Sequence, residues 1–272
     1  MLKFLAQIVN DKVKHDFVFI LERSQEYYEW NGNPIHIEYC TLEDINSGCK
    51  LIDCDDITSY IPVGTVEFVH AFINNFIKEN GSTLIKPINV PKELWKYNDG
   101  YINNFTITDF NRANVYEDLY KNLAYNYPIF VKSNDTIKDP VNGAYNLIDI
   151  IDINKIPNGN YQIRDYMDIL SEYRCFIYKD NIVGMKHYSG DFETFPNMTE
   201  IYHMIEDYKW DEGRGPAPEA YTLDIAILTN DETVVIECHD FYSCGLYGFD
   251  DYKSYPYMLA RAFNKIKKDI NK

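Results

Sequence analysis

The chain has 272 residues, 46% of them hydrophobic, enough to bury a real core as one large domain or a few small lobes. Its 42 acidic side chains outnumber its 26 Lys and Arg, and the formal charge of −16 repels a phosphate backbone and argues against a nucleic-acid partner. No run approaches the roughly 18 apolar residues of a membrane span, and MLKFLAQIVNDKVKH lacks a secretory core and cleavage site, so a cytoplasmic protein without a membrane partner is expected.

In chain order, Val13, Phe17, Ile20, Leu21 and Tyr28 recur near helical spacing and predict an amphipathic helix over 11–29, stopped by Asn31-Gly32-Asn33-Pro34. Ile35–Cys40 and Lys50–Asp53 read as short strands. Val66–Ile77 is apolar at helical spacing and ends at Asn80-Gly81, and Thr83–Ile88 reads as a strand before Pro91. Residues 1–108 thus alternate helix and strand, as an α/β lobe does. Asn111–Leu123 predicts a helix, Pro128–Lys132 a buried strand and Ser133–Pro140 a polar loop. Strands follow at Tyr161–Tyr166, Glu172–Tyr178 and Ile182–Tyr188, the last two joined by a two-residue turn at Asp180-Asn181. After a helix at Thr199–Tyr208, Tyr221–Leu228 and Thr233–Cys238 form a hairpin around Asn230-Asp231. A closing helix, Tyr257–Ile270, carries Lys265, Lys267 and Lys268 in its last turn, which suits the helix dipole. The second half is largely antiparallel sheet flanked by helices. None of the six cysteines forms a Cys-x-x-Cys pair, and reduced thiols are expected.

Several charged residues interrupt apolar strands. Asp224 lies in Tyr221-Thr-Leu-Asp-Ile-Ala-Ile-Leu, and Glu237 lies in Val234-Val-Ile-Glu-Cys-His239-Asp240. A buried carboxylate costs several kcal/mol unless a cation or donor compensates it. Two acids on paired strands therefore imply a hard cation such as Mg²⁺, which takes carboxylates together with substrate phosphates; a salt bridge is the alternative. Lys132 ends a buried strand and calls for an anion, and Lys138 follows in a polar loop that leads to Gly143, as a phosphate-covering flap would; a snorkelling Lys and a solvated loop are the alternative. Arg174 sits on a strand paired with the one carrying Lys186, and its planar fork suits phosphate or carboxylate. Here the alternative is a cross-strand ion pair with Glu172, Asp224 or Glu237. His70 reads as structural, and His187 should face away from Lys186.

The order of these features resembles the ATP-grasp superfamily, in which two lobes clasp ATP, and more narrowly its phage- and bacteria-associated R-two-K clade. The resemblance rests on Pro62-Val63-Gly64-Thr65-Val66-Glu67-Phe68, Phe130-Val131-Lys132 with Lys138, Ser171-Glu172-Tyr173-Arg174, His187-Tyr188-Ser189-Gly190-Asp191, Tyr221–Asp224, and Glu237–Asp240 with Gly245-Leu246-Tyr247-Gly248. It implies an α/β (α+β) ATP-grasp fold with an N-terminal substrate-selecting lobe at 1–108, a small lobe at 109–166 and a large, metal-bearing lobe at 167–272. If a phage encodes the chain, the cytoplasm is the host's. By the resemblance, Lys132 holds the α- or β-phosphate of ATP and Lys138 covers the phosphates. The backbone of Gln162, Ile163, Arg164, Asp165 and Tyr166 is the hinge that holds adenine, and Asp168 stands where an acid holds the ribose. Arg174 and Lys186 face the γ-phosphate or acyl phosphate, and Asp224 and Glu237 bind Mg²⁺. His239 stands where the family usually has Asn; imidazole can also ligate a metal, although it is softer than an amide oxygen. The glycine-rich phosphate loop of many relatives is reduced to Gly143.

The activity expected is that of a carbon–nitrogen ligase. It joins a small-molecule or peptide carboxylate to an amine through an acyl phosphate and releases ADP, with Arg174 serving catalysis and Lys132 serving binding. A nucleotide-binding assembly factor and a kinase-like phosphotransferase are the alternatives that the same fold allows.

Overall fold

The computed structural model describes residues 1–10, 15–48, 56–122, 128–146 and 156–272. Strand β1 (Lys3–Gln7) is the centre of a three-stranded parallel sheet, with β2 (His36–Cys40) on one side and β3 (Ile61–Val63) on the other. Phe4, Leu5 and Ala6 are fully buried, the continuous apolar run of a parallel strand covered on both faces. Helix α1 (Asp16–Trp30) occupies most of the predicted 11–29 helix, whose residues 11–14 lie outside the described ones. The strand expected at Lys50–Asp53 also lies outside them. Between these, α2 (Leu42–Asn46) opens on a capping box made by Thr41 and Asp44. Helix α3 (Val66–Phe72) is capped by the Thr65 hydroxyl and runs on as a π-turn through Ile77.

The strand expected at Thr83–Ile88 does not form. Gly81–Leu84 coils as a 3₁₀ turn, and only Asn89 bridges to another strand, at Cys238. Pro87 removes a ladder donor near the end of that run, which physically disfavours pairing.

The second sheet contains β4 (Ile102–Ile107), β5 (Pro128–Ser133), β6 (Gly143–Asn146) and β7 (Gly159–Asp165) in the order β4-β7-β5-β6, all pairs antiparallel. Strand β4 falls within 1–108 yet pairs along its whole length with β7. One face of this sheet packs on α4 (Arg112–Asn122), where Val115, Tyr116 and Leu119 meet Ile129, Val131 and Ile163.

The third sheet, also antiparallel, runs β13-β12-β8-β9: β8 (Ile169–Tyr178), β9 (Asn181–Gly190), β12 (Ala220–Leu228) and β13 (Thr233–Asp240). The β8–β9 turn is Lys179-Asp180, with φ of +50° and +60°, one residue earlier than expected. Two positive φ values make a turn whose twist matches that of the strands, and Asn181 already belongs to β9. Helix α5 (Met198–Tyr208) and a small ribbon, β10 (Trp210–Asp211) with β11 (Gly215–Pro216), follow β9. Helix α6 (Tyr255–Ile270) closes the chain and buries Met258, Leu259, Phe263 and Ile266 in the same core as β1 and α3, fastening the C-terminus to the first sheet. Among the described residues no helix is long and apolar enough to cross a membrane.

Residues 89 and 90 join the second and third sheets. The Asn89 carbonyl accepts from the Cys238 amide at 2.7 Å, and its side chain donates to the Ser133 carbonyl at 2.9 Å. The Gln162 side chain then pairs with both backbone groups of Val90, accepting from its N–H at 3.0 Å and donating to its carbonyl at 2.8 Å. Gln162→Ala leaves the buried Val90 amide without its partner. It should lower unfolding free energy by about 1–3 kcal/mol, read as a shifted denaturant midpoint at unchanged slope.

Candidate active site

Alternation along the strands sets which side chains face each other. On β5 and β7, Ile129, Val131 and Ile163 point into the α4 core, leaving Phe130, Lys132, Gln162 and Arg164 on the other face. That face looks across at the third sheet, where Lys132 forms an ion pair with Glu237 of β13. In the third sheet, register places Glu237 opposite Asp224, Asp224 opposite Arg174, and Arg174 opposite Lys186. Four charges, one from each strand, thus cross the sheet in a single row.

The centre of the row is an ion pair with little access to water. Arg174 Nε and Nη2 donate to the two Asp224 oxygens at 2.8 and 2.7 Å, and Nη1 donates to the Gly245 carbonyl at 3.0 Å. The guanidinium lies against the rings of Tyr188 and Tyr247, at 5.8 and 5.2 Å from their centroids, and these rings stack on each other. Burial works against the Arg174 charge, but Asp224 outweighs it and holds the pKa above the usual value. The Tyr188 hydroxyl donates to Glu172 at 2.8 Å, and burial raises its pKa.

Glu237 sits beside this pair. Burial opposes its ionisation, yet His239, 3.1 Å away, and Lys132 prevail and hold its carboxyl well below the usual range. One ligand atom from each of Asp224, Glu237 and His239 lies within 4.8 Å of the others. Although Arg174 engages both Asp224 oxygens, a carboxylate has about four lone-pair sites, so the set fits a hard divalent ion completed by phosphate oxygens and water.

Two cavities share Lys132 and Glu237 as a common wall. The first, about 350 Å³, is bounded by Val66 and the 86–89 segment, by Thr136, Ile137, Lys138 and Asn142 of the loop after β5, and by Arg174, His239 and Tyr247. Lys138 adopts a left-handed φ of +56°, uncommon for a residue with a Cβ. The second, about 470 Å³, lies between Phe130, Arg164 and the chain at 165–167 on one side and Glu172, Tyr188 and Ile236 on the other. Each is large enough for a small ligand.

The residues singled out in sequence divide accordingly. Lys132 lines both cavities, Lys138, Arg174 and His239 the first, and Arg164, Asp165 and Tyr166 the second. Gln162 and Ile163 line neither: Gln162 clamps Val90, and Ile163 is fully buried in the α4 core. Both lie on a strand paired on each side. Asp168 also lines neither, whereas Glu172, which carried no role of its own in sequence, lines the second cavity. Lys186 lies at the end of the charged row, outside both, 3.7 Å from the exposed Asp250. His70 is half-buried, 3.5 Å from the Tyr242 hydroxyl, and burial lowers its pKa. The Tyr188–Tyr247 pair went unread in sequence; the only signal was a tyrosine two residues beyond Lys186 and another in the glycine-flanked loop after β13.

Residues 110–256 match the sequence model of an ATP-grasp domain, R-two-K clade family 2. Comparison with curated protein sequences gives no match. Among solved structures, the chain is similar to the D-cycloserine synthetase DcsG at 9% identity, with a TM-score of 0.60 over 97% of this chain and 99% of that one. It is similar to the D-alanine–D-alanine ligase from Bacillus anthracis at 12% identity, with a TM-score of 0.50 over 98% and 99% of the two chains. At such identities the likeness is one of fold: helices and strands arranged as in ATP-grasp proteins.

Proposed function

The chain belongs to family 2 of the R-two-K clade of ATP-grasp domains, and from that membership we propose that it is an ATP- and Mg²⁺-dependent ligase that joins a carboxylate to an amine. The observation that carries this reading is the pair of cavities meeting at Lys132 and Glu237. One supplies room for a nucleotide between two sheets, the other room for an acceptor, and Lys132 stands at their junction with Arg164 on one side and Arg174 and Lys138 on the other. The base and ribose occupy the second cavity, against Phe130 and the chain at 165–167, with Glu172 in place to accept from the ribose hydroxyls. Lys132 and Arg164 bind phosphate oxygens there. Asp224, Glu237 and His239 hold Mg²⁺, which when bound neutralises phosphate charge.

In the reaction, a substrate carboxylate oxygen bonds to the γ-phosphorus as the bond to the β–γ bridging oxygen breaks, giving an acyl phosphate and ADP. The amine nitrogen then bonds to the acyl carbon, the C–O bond to phosphate breaks, and the amine loses a proton. The protein aligns the groups and balances their charge rather than reacting covalently itself. Arg174 faces the first cavity, where that charge moves, and Lys138 closes over it. Val66 and the 86–89 segment wall the acceptor side, which supports a substrate-selecting role for the N-terminal lobe.

Incubation with ATP, Mg²⁺, mixed carboxylic acids and hydroxylamine should yield ADP and a hydroxamate in step, because hydroxylamine intercepts an acyl phosphate. ADP with a stable phosphorylated product would instead make the protein a kinase, and nucleotide binding without turnover would make it an assembly factor. Asp224→Asn and Glu237→Gln should each weaken Mg·ATP binding about tenfold or more, on the order of one lost charge-assisted contact. Unchanged affinity in both by calorimetry would remove the metal assignment.

A further inference from the structure

A further, open concavity of about 1060 Å³ lies between α6 and the chain at 208–219, and Ile88 lines both it and the first cavity. Its charge is the reverse of the molecule's. Arg214, Arg261, Lys265, Lys267, Lys268 and Lys272 face it against only Glu219 and Asp269, in a chain with 26 cations and 42 acids. The sequence explains the clustering. Arg261, Lys265 and Lys268 recur every three or four residues along one stripe of α6, which Lys272 continues just past its end, while Leu259, Phe263, Ile266 and Ile270 hold the opposite face in the core.

Two of these cations have partners behind the groove, Arg214 in Glu93 at 2.9 Å and Lys265 in the largely buried Asp240 at 3.3 Å, and the acids that face the groove are few and shared. Asp269 serves both Lys265, at 3.1 Å, and Lys272, at 2.8 Å, and Glu219 reaches Arg261 at 3.4 Å. Among the described residues Lys267 and Lys268 form no ion pair, although Lys267 donates to the Thr58 carbonyl at 3.0 Å. Glu219, Arg261 and Asp269 are 50%, 48% and 42% exposed, so their pairs are weak and readily exchanged for outside carboxylates. The floor is apolar, with Ile88, Ala217 and Pro218 beside the Tyr208 ring.

We propose that this groove docks an acidic peptide segment. Its carboxylates replace Glu219 and Asp269 on the basic stripe, and its apolar side chains lie against Ala217 and Pro218. A peptide fits better than a nucleic acid, because phosphates continuing beyond the groove would meet the acidic remainder of the surface, whereas a peptide's charge can end where the groove ends. The inference does not depend on the ligase reading.

Fluorescence anisotropy with a labelled Glu-rich peptide containing Leu spacers tests it, beside a Lys-rich peptide and labelled oligothymidylate of equal length. The Glu-rich peptide should bind saturably and weaken with added salt, whereas the Lys-rich peptide, drawn to the acidic remainder of the surface, should bind no more weakly when the groove's charge is reversed. Arg261→Glu combined with Lys268→Glu should reduce affinity by about tenfold or more, with circular dichroism and ATP binding unchanged. Lys268→Gln, a milder change on the same exposed face, should reduce it about two- to threefold. Absence of saturable binding, affinity indifferent to the double reversal, or tighter binding of oligothymidylate would each overturn the proposal.

Discussion

Arg164→Met should raise the melting temperature of the ligand-free protein and at the same time weaken its binding of ATP. The Arg164 guanidinium is only 8% exposed and lies 5.3 Å from the centroid of the Phe130 ring. Among the described residues its Nη1 has no hydrogen-bond partner. Burial pushes its pKa down to about 10, with Glu237 and Glu172 acting weakly the other way. Between that value and the usual 12.5 the folded protein binds fewer protons than the unfolded chain. Stability therefore rises with pH across that window. Below it, at neutral pH, the full cost of the buried charge is present. Exchanging buried charge for apolar volume commonly stabilises by about 1–4 kcal/mol, and a chain of this size gains about 2–4 °C per kcal/mol. The same charge faces the second cavity, where phosphate would compensate it. Its loss should cost a charge-assisted hydrogen bond of about 1.5–3 kcal/mol, or roughly ten- to a hundredfold in ATP affinity. Scanning calorimetry and isothermal titration on one preparation read both effects. A lower melting temperature would make Arg164 a structural partner of Phe130. Unchanged ATP affinity would place the nucleotide elsewhere.

That pairing of signs was not legible in the sequence, although Arg164 itself was. A hinge reading assigns the backbone and ignores the side chain, and only the packed structure shows a buried guanidinium whose Nη1 has no hydrogen-bond partner among the described residues. Asp224 and Glu237 were easier, because an acid in an apolar strand is a local anomaly that survives without any tertiary information. Their place in one row with Arg174 and Lys186 needed the registers of three strand pairs, which turns and bulges set. Gln162 carries a structural role that its local sequence does not announce. Its neighbours Ile163 and Tyr161 mark a buried strand correctly, but nothing local says that its amide pairs with Val90, 72 residues away. Strand β4 escaped notice because Ile102-Asn-Asn-Phe-Thr-Ile107 neither alternates nor runs apolar; the neighbouring strand β7, rather than its own pattern, holds it in the sheet. The ordered set of short motifs carried the fold further than any one of them could, since each alone has a bland explanation.

Arg174 is where the sequence expectation changes most. As a catalytic cation it would be expected to tolerate replacement by Ala with the fold intact, losing about 10²-fold in turnover. Its bidentate pair with Asp224, whose side chain is 3% exposed, alters that. Arg174→Met alone leaves the Asp224 carboxylate buried without its cation, and Asp224→Leu leaves the guanidinium without its anion. Each should cost about 3–5 kcal/mol of unfolding free energy. Lost activity in either variant would then be indistinguishable from lost fold. The double variant, Arg174→Met with Asp224→Leu, removes both charges and retains apolar volume, so it should recover most of that stability, with a coupling energy of at least about 2 kcal/mol in a denaturant cycle. It should not recover function. Mg·ATP affinity should remain weakened because a metal carboxylate is gone, and ADP formation should fall by about 10²-fold or more because the donor facing the transferred group is gone. Arg174→Lys tests the fork separately: an ammonium can pair with Asp224 but cannot span both of its oxygens, so stability should return further than turnover. A stable double variant that still formed ADP at the original rate would reduce the pair to a structural device between β8 and β12, and the charge transferred in the reaction would have to be met by Lys132, Lys138 and Arg164.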